Sequence, residues 1–284
     1  MRIGIGLPNT LTVPGPTVVD WARRAEERGF QSLATIDRIV YPSYDSLTTL
    51  AVAAGATSRV TLFSNILLGP VYPPVWLAKA TASLDALSGG RLLLGLGVGG
   101  RPDDFAAMDR PFEQRGKLMD GTLDLLHRAW AGEEITGDDV AVGPAPARGN
   151  RVPVLMGGTS DAAIRRTVQQ AEGWTAGGGG PEMAAPVIEK VRAAWKDAGR
   201  DGEPRFGALV YFGLGDEAES RASLLSYYGF LGEWAGRIAD SAIRTAADAR
   251  AVARRYADLG VTDLAFDPTI ASLDEVDRLA DAVL

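Results

Sequence analysis

LGLGVGG, residues 94–100, carries Gly95, Gly97 and Gly100 in the spacing G-x-G-x-x-G, and its reading decides between two α/β architectures. A dinucleotide fingerprint needs those glycines in a tight turn that opens a helix, with an acidic residue about 20 positions later. Here Gly95 and Gly97 lie inside RLLLGLGVG (91–99), which reads as a strand, and RPDDFAAMDRPF (101–112) reads as a loop. The glycines therefore fit strand positions where a flat ligand needs close approach of the backbone.

On either side of this strand, short runs rich in Val, Ile and Leu alternate with longer amphipathic segments, the pattern of βα units feeding a parallel sheet. Strands are expected at 3–8, 31–37, 59–68, 91–99, 152–158, 173–178, 205–214 and 261–268. Helices are expected at 18–29, 45–57, 74–87, 113–132, 160–171, 181–198 and 273–284, with helical material in more than one piece over 217–256. In the first helix Val18, Trp21, Ala22 and Ala25 share an apolar face, and Gly29 supplies a C-cap. Eight strand–helix units in 284 residues are the arithmetic of a (β/α)8 TIM barrel, a single α/β domain spanning 1–284. The one irregular insertion, 133–150, is expected to be a loop or small hairpin.

With 46% hydrophobic residues the chain can bury one large core. A net charge of -7 without Lys/Arg runs argues against nucleic acid or an anionic membrane as partner and leaves small molecules as ligands. No apolar stretch is long enough to span a bilayer, and MRIGIGLPN runs straight into a strand, so a cytoplasmic protein is expected. Without cysteine there is no disulfide framework, thiolate nucleophile or Cys-ligated metal. A single histidine, His127, argues against a His-rich metal site or a Ser-His-Asp triad; at helical spacing it reads as a surface or helix-packing residue.

LAKATASLDALSGGRLLLGLGVGG (77–100) closely resembles the luciferase-like monooxygenase superfamily, barrel enzymes that use FMN or the deazaflavin coenzyme F420. The resemblance extends to ARRAEERGFQSLATIDR (22–38), the Arg115–Trp130 segment and PVLMGGTSDAAIRRTVQQAEGW (153–174), and weakly to LGVTDLAFDP (259–268). It implies a cofactor ring across the C-terminal mouth of the barrel, backed by a bulge of the third strand with a cis non-prolyl peptide at Asn65 and Ile66, next to Ser64. Gly97 and Gly99 then leave room at the mouth.

The cofactor phosphate needs fixed backbone donors, which a Gly-rich turn at a helix N-terminus provides. Gly157, Gly158, Thr159 and Ser160 form such a turn after the fifth strand, with Ser160 or Asp161 as N-cap, and Gly177 and Gly178 can bring further amides. The GGGG run at 177–180 reads equally as a mobile lid. Asp37 and Arg38 occupy the place where many deazaflavin-using relatives carry Asp-His. Arginine is a permanent cation, so Arg38 can hold an anion but not shuttle a proton; Asp37 is expected to orient Arg38 or the cofactor. Tyr41, Tyr44 and Tyr72 are candidates for lining the mouth, and Phe230 and Trp234 for a substrate wall. Asp103 and Asp104 read as solvated loop carboxylates, while Glu113 and Arg115 read as a structural ion pair, with Arg115 also within possible reach of the phosphate.

The resemblance implies an oxidoreductase that moves hydride to or from, or oxygenates, a small organic substrate as a homodimer built on its second and third helices. A lean segment between strands seven and eight, and the excess of arginine over lysine typical of GC-rich genomes, favour F420 over FMN. A non-catalytic flavin-binding barrel, and a barrel lyase or isomerase acting on a phosphorylated substrate, remain as alternatives.

Overall fold

Eight parallel strands pair in sequence order and the last closes on the first: β1 (Arg2–Gly6), β2 (Ser32–Thr35), β3 (Thr61–Leu68), β4 (Leu92–Gly97), β5 (Val154–Gly157), β6 (Gly173–Ala176), β7 (Arg205–Phe212) and β8 (Asp263–Pro268). The computed structural model describes residues 1–137 and 140–284. Around the barrel run α1 (Gly15–Arg28), α2 (Ser46–Ala56), α3 (Pro74–Leu87), α4 (Pro102–Ala107), α5 (Arg115–Trp130), α6 (Asp161–Gln170), α7 (Pro181–Asp197), α8 (Glu217–Tyr228), α9 (Glu233–Asp240), α10 (Ala246–Asp258) and α11 (Asp274–Val283). None of these helices is long and apolar enough to cross a membrane, among the described residues.

The expected alternation is present, but the strands stop short at the C-terminal mouth. The second ends at Thr35, the fourth at Gly97 and the fifth at Gly157. Gly99 and Gly158 have φ of 74° and 106°, a left-handed backbone that no strand continues through. Of the residues freed from the ladder, Ile36 and Asp37 after β2 line the cavity at the mouth. RPDDFAA, read as loop, forms the short helix α4, with Pro102 in its first turn and Asp103 and Asp104 at its positive end. Six residues are too few for a helical period to show in the sequence. The 217–256 segment resolves into α8, α9 and α10. In the 133–150 insertion a bridge between Glu134 and Ala141 gives a small hairpin; Asp138 and Asp139 lie outside the described residues.

Inside the barrel, Ala34, Phe63, Leu93, Leu155 and Ala265 pack as one buried cluster. One large ring fills the axis because its neighbours are small: a Cβ on Gly207 would sit 3.1 Å from both Phe63 and Leu155. Below this layer, Asp263 at the start of β8 is fully buried and bolts the closing seam. Arg205 donates to its two oxygens at 2.9 and 2.9 Å, and Arg2 at 2.7 and 3.1 Å. Burial alone would raise this carboxyl, but the arginine hydrogen bonds outweigh it and hold the group at about 2.

Asp263→Ala is expected to cost about 3 kcal/mol, the low end for breaking a buried ion pair because Arg2 keeps access to water. Urea unfolding checks it, and an unchanged midpoint refutes the bolt. The folded-state carboxyl lies below its ordinary value of 3.8, so this contribution is full above about pH 4 and is lost as pH falls toward 2. The variant should lack that part of the acid limb.

Candidate active site

The mouth is organised by a break in β3. Its pairing with β4 runs Ser64 to Leu94, then resumes at Leu67 to Leu96, so two residues, Asn65 and Ile66, stand against Gly95 alone. The Asn65–Ile66 peptide is cis, as the resemblance implies. Ser64 Oγ holds the break by accepting from the Gly95 amide at 3.1 Å and donating to the Gly95 carbonyl at 3.0 Å. Ile66 then lies across β4 and β5. A Cβ on Gly97 would overlap Ile66 Cδ1, and one on Gly157 would press on it at 3.2 Å. Asn65 turns inward, where its Oδ1 accepts from Thr175 Oγ at 2.9 Å. Its Nδ2 is buried and has no hydrogen-bond partner.

Above Asn65 and Ile66 is a cavity of about 230 Å³, walled by Asp37, Arg38, Arg101, Tyr211 and Tyr227 among others. Asp37 follows β2 and is buried, accepting from the Leu68 amide and the Tyr72 hydroxyl at 3.0 Å each. Burial raises its carboxyl to about 7 against the lowering effect of those two donors. It does not orient Arg38. That guanidinium is held at 3.1 Å by each of Asp103 and Asp104, and donates to the Val40 carbonyl at 2.6 Å. Nor is Asp104 solvated: it is fully buried and also accepts from the Ile39 and Val40 amides at 3.0 and 2.8 Å. Helix α4, unseen in the sequence, carries it there.

A second groove of about 680 Å³ adjoins the first through Gly177, Gly178 and Tyr228 and contains Thr159, Trp174 and Trp234. At its edge Ser160 caps α6, accepting from the Ala163 amide at 3.2 Å, and Trp174 Nε1 donates to the Gly158 carbonyl at 2.7 Å. The turn Gly157–Ser160 is thus fixed from both sides. Of the residues singled out in the sequence, Asp37, Arg38, Asn65, Ile66, Gly177 and Gly178 line the first cavity, and Thr159 lines the groove beside Gly177 and Gly178. Ser64, Gly97, Gly99, Gly157, Gly158 and Ser160 line neither. The open faces of Gly97 and Gly99 go to Ile66 and Leu68, not to the cavity.

Among the tyrosines, Tyr44 turns away to the Val13 carbonyl, Tyr41 packs edge-on against Tyr227, and Tyr72 acts on the site through Asp37. Phe230 borders the cavity and Trp234 the groove. Arg115 stacks on Phe112 at 4.1 Å and donates to its carbonyl. His127 donates to the Gln170 carbonyl at 2.9 Å and tightens α5 against α6. Four groups escaped the sequence reading: Arg101, Tyr211, Tyr227 and Tyr228. Only Arg101 had a signal, its place directly after the glycine run. Tyr211 and Tyr228 hydroxyls meet at 2.5 Å. Asp267, paired in register with Tyr211, is buried with Oδ1 unpartnered, and burial pushes its carboxyl well up.

A closed parallel barrel with a polar C-terminal mouth over a broken third strand defines a class of barrel enzyme. The sequence profile described as luciferase-like monooxygenase matches residues 1–277; the chain belongs to that family. It is similar to an uncharacterized protein of Mycobacterium tuberculosis, 31% identical over 208 residues, which are 63% of this chain and 71% of that one. It is also similar to the F420-dependent glucose-6-phosphate dehydrogenase of Nakamurella multipartita, 29% identical over 206 residues, 66% of this chain and 60% of that one. Two solved structures share the fold. The monooxygenase RslO1 from Streptomyces bottropensis superposes with a TM-score of 0.77 at 22% identity, covering 99% of this chain and 97% of its own. An F420-dependent secondary alcohol dehydrogenase in complex with an F420-acetone adduct gives 0.78 at 16% identity, covering 99% and 98%.

Two substitutions test the packing at the break. A Cβ on Gly95 meets the Ser64 backbone carbonyl, which cannot move aside, whereas one on Gly97 meets the flexible end of Ile66. Gly95→Ala should therefore cost more than Gly97→Ala, about 3 against about 1 kcal/mol. Ile66→Val should rescue the second and not the first in a double-mutant cycle read by chemical unfolding. Equal costs would remove Ile66 from its place in the argument.

Proposed function

We propose that the chain is an oxidoreductase that uses F420 or FMN, with F420 favoured, on a small organic substrate. The observation that carries this reading is the Asn65 amide, whose buried Nδ2 at the cavity has no acceptor among the described residues. A buried donor without a partner costs about 1–3 kcal/mol, and a heterocycle with ring carbonyls supplies what it lacks. The residues that line the two cavities fit such a group: Asn65 and Ile66 would hold its ring, and Thr159, beside the start of α6, with Gly177 and Gly178 after β6, its phosphate. The F420-dependent relative and the FMN complex of a type II Baeyer-Villiger monooxygenase of the same fold, at TM-score 0.72, support the choice of cofactors. When bound, the cofactor supplies the hydride or oxygen chemistry.

The chain's own residues do the rest. Asp37 titrates near neutrality at the cavity wall, which suits a group that gives or takes a proton at its carboxyl oxygen. Tyr72 and the Leu68 amide fix the orientation of that carboxyl. Arg38, saturated by Asp103 and Asp104, acts as a girder between the β2 and β4 loops and moves no proton. The three tyrosines at 211, 227 and 228 exclude water from the far wall.

Titration of the purified protein with FMN and with F420, followed by absorption and fluorescence, tests the reading directly. Saturable binding of one of them, tighter for F420, is expected; no perturbation by either would end the oxidoreductase reading. Asp37→Asn keeps the shape and removes the titration. It should lower turnover by about 100-fold or more and abolish a pH-rate inflection near 7. Because the folded carboxyl lies above its ordinary 3.8, the wild type binds an extra proton between about pH 4 and 7 and loses stability as pH rises through that window. The thermal midpoint of the variant should slope less there.

A further inference from the structure

Two arginines reach the same cavity and are satisfied to different degrees. Arg38 has two carboxylates on its guanidinium. Arg101 has none within ion-pair distance among the described residues. It is only 8% exposed, its Nη2 donates to the Tyr227 carbonyl at 3.1 Å, and its Nη1 is buried without a hydrogen-bond partner. Three rings surround it instead: its guanidinium carbon lies 4.2 Å from the Phe230 ring centre, 4.5 Å from Tyr227 and 5.6 Å from Tyr228. Aromatic faces compensate part of the lost hydration of a buried cation, but they accept no N–H along its plane.

The neighbouring acids do not complete it. Asp103 and Asp104 are committed to Arg38, and Asp37 is committed to Leu68 and Tyr72. From this we infer that Arg101 receives an anionic group of the substrate, a carboxylate, while the substrate's apolar body lies against Phe230 and Tyr227. A carboxylate suits the site better than a phosphate. One unpaired guanidinium balances one negative charge, and no second free cation lines the cavity among the described residues. The inference deepens the proposed oxidoreductase reading and rests on it. It names Arg101 as a specificity-determining residue and small aromatic or branched aliphatic monocarboxylic acids as the substrate class.

Benzoate, its neutral isostere benzamide and inorganic phosphate serve as probes, each titrated calorimetrically into protein with and without saturating FMN or F420. Benzoate should bind at least about tenfold tighter than benzamide, the size of one charge-assisted hydrogen bond, and phosphate should not compete with it. Arg101→Met should remove the preference for benzoate and leave cofactor affinity within about twofold. Arg101→Lys should keep part of it. Loss of cofactor affinity in Arg101→Met with benzoate binding unchanged would show that the cofactor's own anion sits there and overturn the inference. Equal affinity of the wild type for benzoate and benzamide, or stronger competition by phosphate, overturns it without any variant, so a poorly folded variant leaves the test intact. Failure of the cofactor titration is a separate result, read in the absence of these probes.

Discussion

The mouth of this barrel depends on the volume of one side chain. Ile66 leaves the β3 ladder and crosses β4 and β5, and it can lie there because Gly97 and Gly157 have no Cβ to meet it. Gly95 permits the same approach one step lower, where Ser64 clamps its amide and carbonyl. Asn65 and Ile66 both reach the cavity at the mouth, Ile66 over Gly97 and Gly157 and Asn65 against Thr175. The barrel axis thereby changes character within two residues, from the Phe63 ring in an apolar layer to an amide bound to Thr175. Polar function starts where apolar filling stops, and the break in β3 sets that height.

The two ends of the barrel show how the same residue type is tuned in opposite directions. Asp263 at the bottom and Asp37 and Asp267 at the top are all buried. Asp263 has four guanidinium hydrogen bonds and is held at about 2; Asp37 has an amide and a hydroxyl and rises to about 7; Asp267 has an unpartnered oxygen and is likewise pushed up by burial. Desolvation acts on each, so the difference lies in the charge of the donors. The seam carboxyl is stabilised by its cationic donors, while the mouth retains carboxyls whose charged form is disfavoured by burial.

The barrel was legible because its signal is repeated: eight apolar runs at near-regular spacing, each with an amphipathic partner, outvote any single misread boundary. Around the mouth, only local geometry was legible. The Ser160 cap and the start of α6 announce themselves in one short stretch. Contacts between loops do not. Arg38 meets Asp104 across 66 positions, and Arg101 meets the Tyr227 carbonyl across 126. Nothing in the composition of either loop foretells its partner, so Arg38 could be assigned to Asp37 beside it in sequence, and Asp104 to solvent. Helix α4, which carries Asp104 inward, is too short to show a period. Tyr227 and Tyr228 read as ordinary helix residues until α8 folds over the mouth.

The glycine spacing of LGLGVGG illustrates why such motifs mislead. A dinucleotide fingerprint and a bulged barrel strand impose the same local demand, a backbone with no Cβ where something must come within van der Waals contact. In the first case the visitor is a pyrophosphate; here it is the Ser64 carbonyl over Gly95 and the Ile66 methyl over Gly97. The spacing reports that an approach occurs and is silent about what approaches. The discriminating information lies in the neighbouring strand, in the SNI of β3, because only that sequence supplies the atoms that fill the space.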